Sequence, residues 1–332
     1  MDYQAIFHHL AREALPNIQA ALLVGSFSEG LQTKTSDYDF FLVVDRESKE
    51  RVSKQLIRRY EGRLVEYTLL TAEDIGAEKN RLLAENFSFS NLRDAEVLYK
   101  LLFGKPVHGS RFYESLIQDV DVQAFKSKLI AYHLFYCQNR YEDLIGSVGE
   151  DDLLSAVYFA QVLVDCAVDA WLVQSGDAYP KVKWRLKRAR RKMGESSDLF
   201  CSYRRLFYPV AGEATESYKE LLVKALSLYR RLLATVFFGS VESASEGNDS
   251  VRYRASTLSF VHYGESGFIA SNGDKYYALD ITSTACVLLL NEEMAIEQLA
   301  ESLTARSIAV EGVDSLQKRV SYLCGLGLLG LA

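Results

Sequence analysis

Residues 18–45, IQAALLVGSFSEGLQTKTSDYDFFLVVD, decide the fold of this chain. Within them, 18–24 (IQAALLV) and 38–44 (YDFFLVV) are apolar runs of strand length bounded by turn residues, which predicts two buried strands. Gly25 stands where the first strand ends. A glycine there lets the backbone take a positive φ and approach a ligand closely, while Ser26 offers a hydroxyl and the turn after it can aim N–H groups at a phosphate. Ser36, beside the acidic pair, joins Gly25 and Ser26 as a candidate for phosphate binding. Side chains on a strand alternate between faces, so Asp37 and Asp39 project to one side. Two carboxylates on one face concentrate negative charge, which is costly without a cation between them. Mg²⁺ is the natural occupant, because it takes oxygen ligands and bridges nucleotide phosphates.

The segment 61–71, EGRLVEYTLLT, predicts the next strand, with Glu66 between Val65 and Tyr67. A lone charge in such a stretch needs a partner, and an adjacent metal site would provide one. Glu66 is therefore a candidate third ligand or a candidate base; the alternative is a charge on an edge strand.

VGS at 24–26, SDYDF at 36–40 and VEY at 65–67 together resemble the polymerase-β-like nucleotidyltransferases, in particular the small bacterial branch of kanamycin nucleotidyltransferase and the minimal (MNT) enzymes. That family's pattern is a hydrophobic strand ending in Gly-Ser, a helical turn, Asp-x-Asp on the next strand and a further acidic residue on a third. The resemblance implies transfer of a nucleoside monophosphate from a nucleoside triphosphate, with ATP the expected co-substrate. A pair of Mg²⁺ ions would be held by Asp37, Asp39 and Glu66.

Composition sets the outer bounds. With 332 residues there is room for two or three domains of ordinary globular make-up. The opening MDYQAIFHHLAREALP reads as an amphipathic helix ending before Pro16, not as a secretory signal, and no stretch is expected to span a membrane. Cys137, Cys166, Cys201, Cys286 and Cys324 are scattered with no CxxC pair, which argues against a zinc site or a disulfide framework and fits a reducing cytoplasm. The net charge of −6 gives no global attraction to nucleic acid.

The expected fold class is α+β, in three parts and a linker. Residues 1–118 carry the nucleotidyltransferase sheet, closing with a helix over NLRDAEVLYKLLFG and a turn at Gly104-Lys105-Pro106. Residues 119–238 read as long helices that complete the active-site cleft; 239–252, including GSVESASEGNDS, read as a linker; 253–332 form a small C-terminal domain. In the helical part, LSAVYFAQVLVDCAVDAWLV places Gln161, Asp165 and Asp169 every four residues on one helix face. This is either a solvated stripe or a source of the general base, with Asp165 or Asp169 competing with Glu66. Further on, YPKVKWRLKRARRKMG resembles the Tyr-Pro-x-x-Lys-Trp segment of many bacterial nucleotidyltransferases, which assigns triphosphate contact to Lys183, with Lys181 as a possible companion. Most of the other basic residues of this run are expected at the surface.

At the C-terminus, TLSFVHY, SGFIAS and DKYYALD read as three strands, with turns at Gly264 and Asn272-Gly273. Helices follow over ITSTACVLLLN, MAIEQLAESLTAR and VDSLQKRVSYLCGLGLL, a winged-helix outline. Over 258–331 this resembles the PqqD family, the element that captures leader peptides of ribosomally made, modified peptides. That resemblance implies a leader peptide adding as a strand along Lys275, Tyr276, Tyr277 and Leu279, and packing on Leu316, Val320 and Leu323. With only Lys318 and Arg319 basic on the last helix, nucleic acid is a poor fit as a partner.

Joined, these readings imply a cytoplasmic Mg²⁺-dependent enzyme that transfers a nucleoside monophosphate to a leader-bound precursor peptide and releases pyrophosphate. Three alternatives stay open: an MNT-type antitoxin that modifies a protein, an antibiotic nucleotidyltransferase with a partner-docking C-terminal domain, and a non-catalytic leader-binding scaffold. The helical part shows no Arg-x(4–6)-His pattern of the kind toxin partners carry.

Overall fold

The computed structural model describes residues 3–10, 17–51, 55–84, 87–208, 217–239, 252–256, 259–264, 267–272, 275–291 and 293–331. Residues 1, 2 and 11–15 of the expected first helix, all of the linker except Gly239 and Arg252, and the turn residue Gly273 lie outside them. The chain forms two compact units, Met1–Leu129 with Ala178–Lys187, and Ile130–Asp177 with Arg188–Ala332. The helical middle and the C-terminal segment thus share one unit, and a ten-residue stretch from the middle belongs to the N-terminal one.

The N-terminal unit runs α1 (Tyr3–Leu10), β1 (Ile18–Val24), the single turn α2 (Gly25–Ser28), β2 (Tyr38–Val44), α3 (Arg46–Arg51), β3 (Gln55–Tyr60), β4 (Arg63–Leu70), α4 (Ala72–Leu83), α5 (Leu92–Phe103), β5 (Lys105–His108) and α6 (Ser110–Ile117). Its sheet has the order β3-β4-β2-β1-β5. β2 and β4 are parallel and the other pairs antiparallel, so the sheet is mixed. Alternation sends Ala21, Leu23, Tyr38, Phe40, Leu42 and Tyr67 to a core shared with Ile6 and Phe7 of α1. The opposite residues, Leu22, Val24, Phe41 and Val43, pack with Ile75 of α4, Leu101 of α5 and Tyr113 of α6. A sheet covered on both faces explains why β1 and β2 read as continuous apolar runs.

Two boundaries differ from the sequence reading. Glu61 and Gly62 both take positive φ, at 48° and 79°, and form the two-residue turn of a β3–β4 hairpin, so β4 begins at Arg63. β3 itself, QLIRRY, is an edge strand with exposed Ile57, Arg58 and Arg59, and charge on an edge hides the alternation a strand usually shows. At Gly104-Lys105-Pro106 the chain does not simply turn: Lys105 and Pro106 pair with Leu23 and Leu22, with Pro106 tolerated because β5 is an edge.

α7 (Val122–Gly149) leads to α8 (Leu153–Gln174), a 3₁₀ turn at Val182–Trp184, α9 (Arg185–Met193), α10 (Asp198–Phe207) and α11 (Tyr218–Phe238). Contrary to expectation, α8 is long and apolar enough to cross a membrane by length and composition; most of it is buried inside the protein, as a core helix would be. Then come β6 (Arg252–Ala255), β7 (Ser259–Gly264), β8 (Gly267–Asn272), β9 (Lys275–Leu279), α12 (Ile281–Leu289), β10 (Met294–Ala295), α13 (Ile296–Thr304), α14 (Val313–Gly325) and β11 (Leu329–Leu331). The expected meander is present as β7-β8-β9, and a second sheet, β10-β6-β11, accompanies it. The α+β class holds.

The C-terminal segment is docked on α11. Phe260 of β7 stacks between Tyr141 and Tyr229, with ring centroids at 4.1 and 5.1 Å. The Tyr229 hydroxyl donates to the Val261 carbonyl at 3.0 Å. Buried Arg230 donates to Asn291 at 3.0 Å, and Asn291 donates to Ser227 at 2.9 Å.

Candidate active site

β2 and β4 align Asp39 with Glu66, and Asp37 immediately precedes β2. One carboxylate oxygen from each of Asp37, Asp39 and Glu66 lies within 4.8 Å of the others, a donor set that could hold a metal ion. The three expected ligands are brought together. Oxygen-only donors converging from two strands suit a hard divalent cation.

Gly25 makes room for this arrangement. It has φ +75°, and a Cβ there would lie 2.1 Å from Asp39 Oδ2. The glycine is therefore needed for its missing side chain as well as for its backbone angle. Ser26 is buried in the turn, its carbonyl accepting from the Leu31 N–H at 2.9 Å. Ser36 Oγ accepts from the Thr33 N–H at 2.9 Å and closes the turn that leads into Asp37. It shapes the approach to the acidic pair.

Burial pushes the Asp39 carboxyl up to about 6; Lys100 opposes this, while Asp37, Glu66 and Glu96 add to it. A carboxylate held in this state favours any cation that arrives.

Sequence reasoning missed Glu96 and Lys100. α5 lies on the sheet face that carries Asp39: Lys100 Nζ sits over the Phe41 ring, 5.5 Å from its centroid, and Phe41 follows Asp39 by two residues. Lys100 pairs with Glu96 at 2.9 Å, one helical turn away. Glu96 also pairs with Lys181. Burial works to raise the Glu96 carboxyl, but Lys100 and Lys181 together hold it below the usual range. The Glu-x-x-x-Lys spacing was the available signal, and it is common on helices of every kind.

Lys183 is placed differently from its expected companion. It is exposed, with its ammonium 5.6 Å from the centre of the Trp184 ring, over which Lys187 also sits. The segment 178–187 is fixed in the N-terminal unit by Lys181–Glu96, by Tyr179 against Tyr99 at 5.2 Å, and by Lys187 donating to the Leu31 carbonyl at 2.9 Å.

Asp165 and Asp169 belong to the other unit, and the solvated reading of their stripe does not hold. Gln161 donates to the Leu206 carbonyl at 2.9 Å, Asp165 accepts from the Tyr203 hydroxyl at 2.8 Å, and Asp169 is buried 3.7 Å from Arg188. The stripe is packed against α10 and α9, so it is not a solvated face. Arg188, expected at the surface with its basic neighbours, is 2% exposed. It donates to Asp177 Oδ1 at 2.9 Å and to the Asp177 carbonyl at 2.6 Å, and Arg191 donates to Asp177 Oδ2 at 2.7 Å.

In the C-terminal element, β9 is an edge strand with exposed Lys275 and Tyr276 and half-buried Tyr277 and Leu279. Leu316, Val320 and Leu323 are buried, at 0–1% exposure, and are core residues of α14 unable to line an open groove. The outer face of α14 carries Tyr322, which is exposed, and Arg319, which pairs with Asp280 just after β9.

Residues 10–100 match the family model described as a nucleotidyltransferase domain. No curated protein matches the chain. Among solved structures, a nucleotidyltransferase-like protein from Exiguobacterium sibiricum is 13% identical, with 70% of this chain and 76% of that one covered at a TM-score of 0.39. The matched stretch contains Gly25, Asp37, Asp39 and Glu66. The chain carries a nucleotidyltransferase domain and is a nucleotidyltransferase, an enzyme that moves a nucleoside monophosphate from a nucleoside triphosphate.

Proposed function

We propose that this nucleotidyltransferase modifies a peptide captured by its C-terminal element. The observation that carries the catalytic part is the convergence of Asp37, Asp39 and Glu66 within 4.8 Å. These three would hold Mg²⁺, which when bound supplies Lewis-acid polarisation of the phosphates and neutralises charge on the leaving pyrophosphate. The acceptor oxygen, a side-chain hydroxyl or a terminal carboxylate, attacks the α-phosphorus of an NTP, with ATP the expected one. A new O–P bond forms, the bond to the β-phosphate breaks, and pyrophosphate departs with the electron pair. A hydroxyl acceptor gives its proton to Glu66, which we favour as base because it stands with Asp37 and Asp39, where the metal would be held. Gly25 and the Ser26 turn support the phosphates, and Ser36 holds the strand entry.

The edge strand β9 supports the peptide reading. Its outer edge, unpaired among the described residues, offers backbone groups to an added strand, and Tyr276, Arg319 and Tyr322 give that strand side-chain contacts in place of the buried α14 residues. Capturing a leader raises the local concentration of the attached core peptide, whose own chain provides the reach. Pairing of Arg319 with Asp280 leaves little free positive charge for tracking phosphates, which disfavours nucleic acid.

The test is transfer of α-labelled nucleotide by the full-length protein, with Mg²⁺, to any short peptide found to be encoded beside its gene. Label should enter the peptide, and Asp37→Ala and Asp39→Ala should abolish it. Pyrophosphate release with no label on any peptide would move the acceptor to a small molecule or a protein partner.

A further inference from the structure

We infer that Glu96 is a positioning residue holding Lys100 and Lys181 as a two-cation cradle for the β- and γ-phosphates of the nucleotide, beside the three carboxylates. This rests on the nucleoside-triphosphate reading above, and it replaces Lys183 as the main triphosphate contact.

The geometry begins with the sheet. Asp39 and Phe41 share one face of β2, and Lys100 reaches over the Phe41 ring, so its ammonium stands on the face where the carboxylates converge. α5 is held close to that face: a Cβ on Gly104, at its end, would lie 3.0 Å from Val24 Cγ1 and 3.2 Å from Leu22 Cβ. Glu96 then joins the two lysines, one on its own helix and one on the segment 178–187. That segment has little freedom, because Tyr179 and Lys187 tether it on either side of Lys181.

A simple helix ion pair would be solvated, and such a pair contributes little. Here the Glu96 and Lys100 side chains are only 14% and 16% exposed. Two lysines on one carboxylate leave a surplus positive charge next to three carboxylates. Phosphates bound there would be held by positive charge from two sources, the lysine ammonium groups and the divalent cation that the three carboxylates would hold. Lys183 stands over Trp184, exposed, without a comparable link to Glu96.

Equilibrium binding to the full-length protein in Mg²⁺ tests the cradle, using ATP, GTP, CTP and UTP and the matching monophosphate of whichever binds. Lys100→Met and Lys181→Met should each weaken triphosphate binding about tenfold, and Glu96→Gln about threefold or more, with Glu96→Asp recovering part of the loss. Monophosphate binding should stay within about twofold, a discrimination that mere loss of structure would not give. Lys181→Met, on a partly exposed side chain, keeps the test open should the Glu96 variants fold poorly. Triphosphate binding unchanged in both lysine variants, with Mg²⁺-dependent binding lost in Asp39→Asn, would remove the cradle and leave the metal-site reading standing. A wild-type protein that binds no triphosphate overturns both.

Discussion

Asp177 is a buried carboxylate of one unit and Asp39 a half-buried carboxylate of the other, and their surroundings push them in opposite directions. Around Asp177, burial works to raise the carboxyl, but Arg188 and Arg191 outweigh it and hold it below its usual range. Around Asp39, burial is joined by neighbouring carboxylates, and Lys100 alone does not offset them. Matched charge fixes the base of a loop. Mismatched charge stores a free-energy cost that a bound cation would relieve, which is why the Asp39 cluster is the candidate site.

The largest expected effect comes from breaking the matched cluster. Arg188→Met takes their buried cationic partner from Asp177 and Asp169, leaving Asp177 only the half-exposed Arg191 of the two arginines, and should lower unfolding free energy by about 3–5 kcal/mol in denaturant titrations at pH 7. A loss below about 1 kcal/mol would erase the contrast between the clusters. Acid should act on this cluster too: the stability Asp177 contributes is present above its unfolded pKa and fades as pH falls through its depressed folded value.

Asp39→Asn should do the reverse, abolishing nucleotide transfer while stabilising the metal-free protein by roughly 1–3 kcal/mol above pH 6. The folded value of about 6 lies above the reference 3.8, so between them the native state binds more protons than the unfolded chain. Wild-type stability therefore declines as pH rises through that window, whereas the asparagine does not titrate. The gap should open between pH 4 and pH 6 and close below pH 4; a gap independent of pH in denaturation at both ends would contradict the assignment.

Gly25→Ala sharpens the comparison by moving Asp39 without changing any charge. The new methyl meets Oδ2, at a backbone angle unfavourable to alanine, so about 1–2 kcal/mol of stability should be lost together with most Mg²⁺ affinity, read by calorimetry. The smallest effect belongs to Tyr203→Phe, which removes one hydrogen bond from Asp165. Stability should fall by about 0.5–1.5 kcal/mol with the transfer rate unchanged; a large drop in rate would return Asp165 to the list of candidate bases.

The catalytic strands were legible because Ile18–Val24 and Tyr38–Val44 are buried on both faces and end in residues with few other uses, Gly25 and the Asp37–Asp39 pair. The meander and three helices at the C-terminus were legible from turn residues and periodicity. β3 was missed because its exposed arginines mask a strand at the sheet edge, and β5 because a proline reads as a stop. Arg188 and Asp177 could not be recognised in a basic run, since burial of one arginine among seven cationic neighbours depends on packing that no local pattern encodes. Leu316, Val320 and Leu323 show the same limit in reverse: an apolar helix face can line a groove or fill a core, and here it fills a core.

Because Ala178–Lys187 completes the N-terminal unit, the ribosome makes that unit in two parts, separated by most of α7 and all of α8. A nascent chain that has reached only Leu129 already possesses the carboxylates. It lacks Tyr179 to cover Tyr99, Lys181 to join Glu96, and Lys187 to tether Leu31. The sheet is synthesised early, but the rim that Ala178–Lys187 adds to it is finished only after two long helices have emerged, so the order of translation itself delays completion of the unit that carries the three carboxylates.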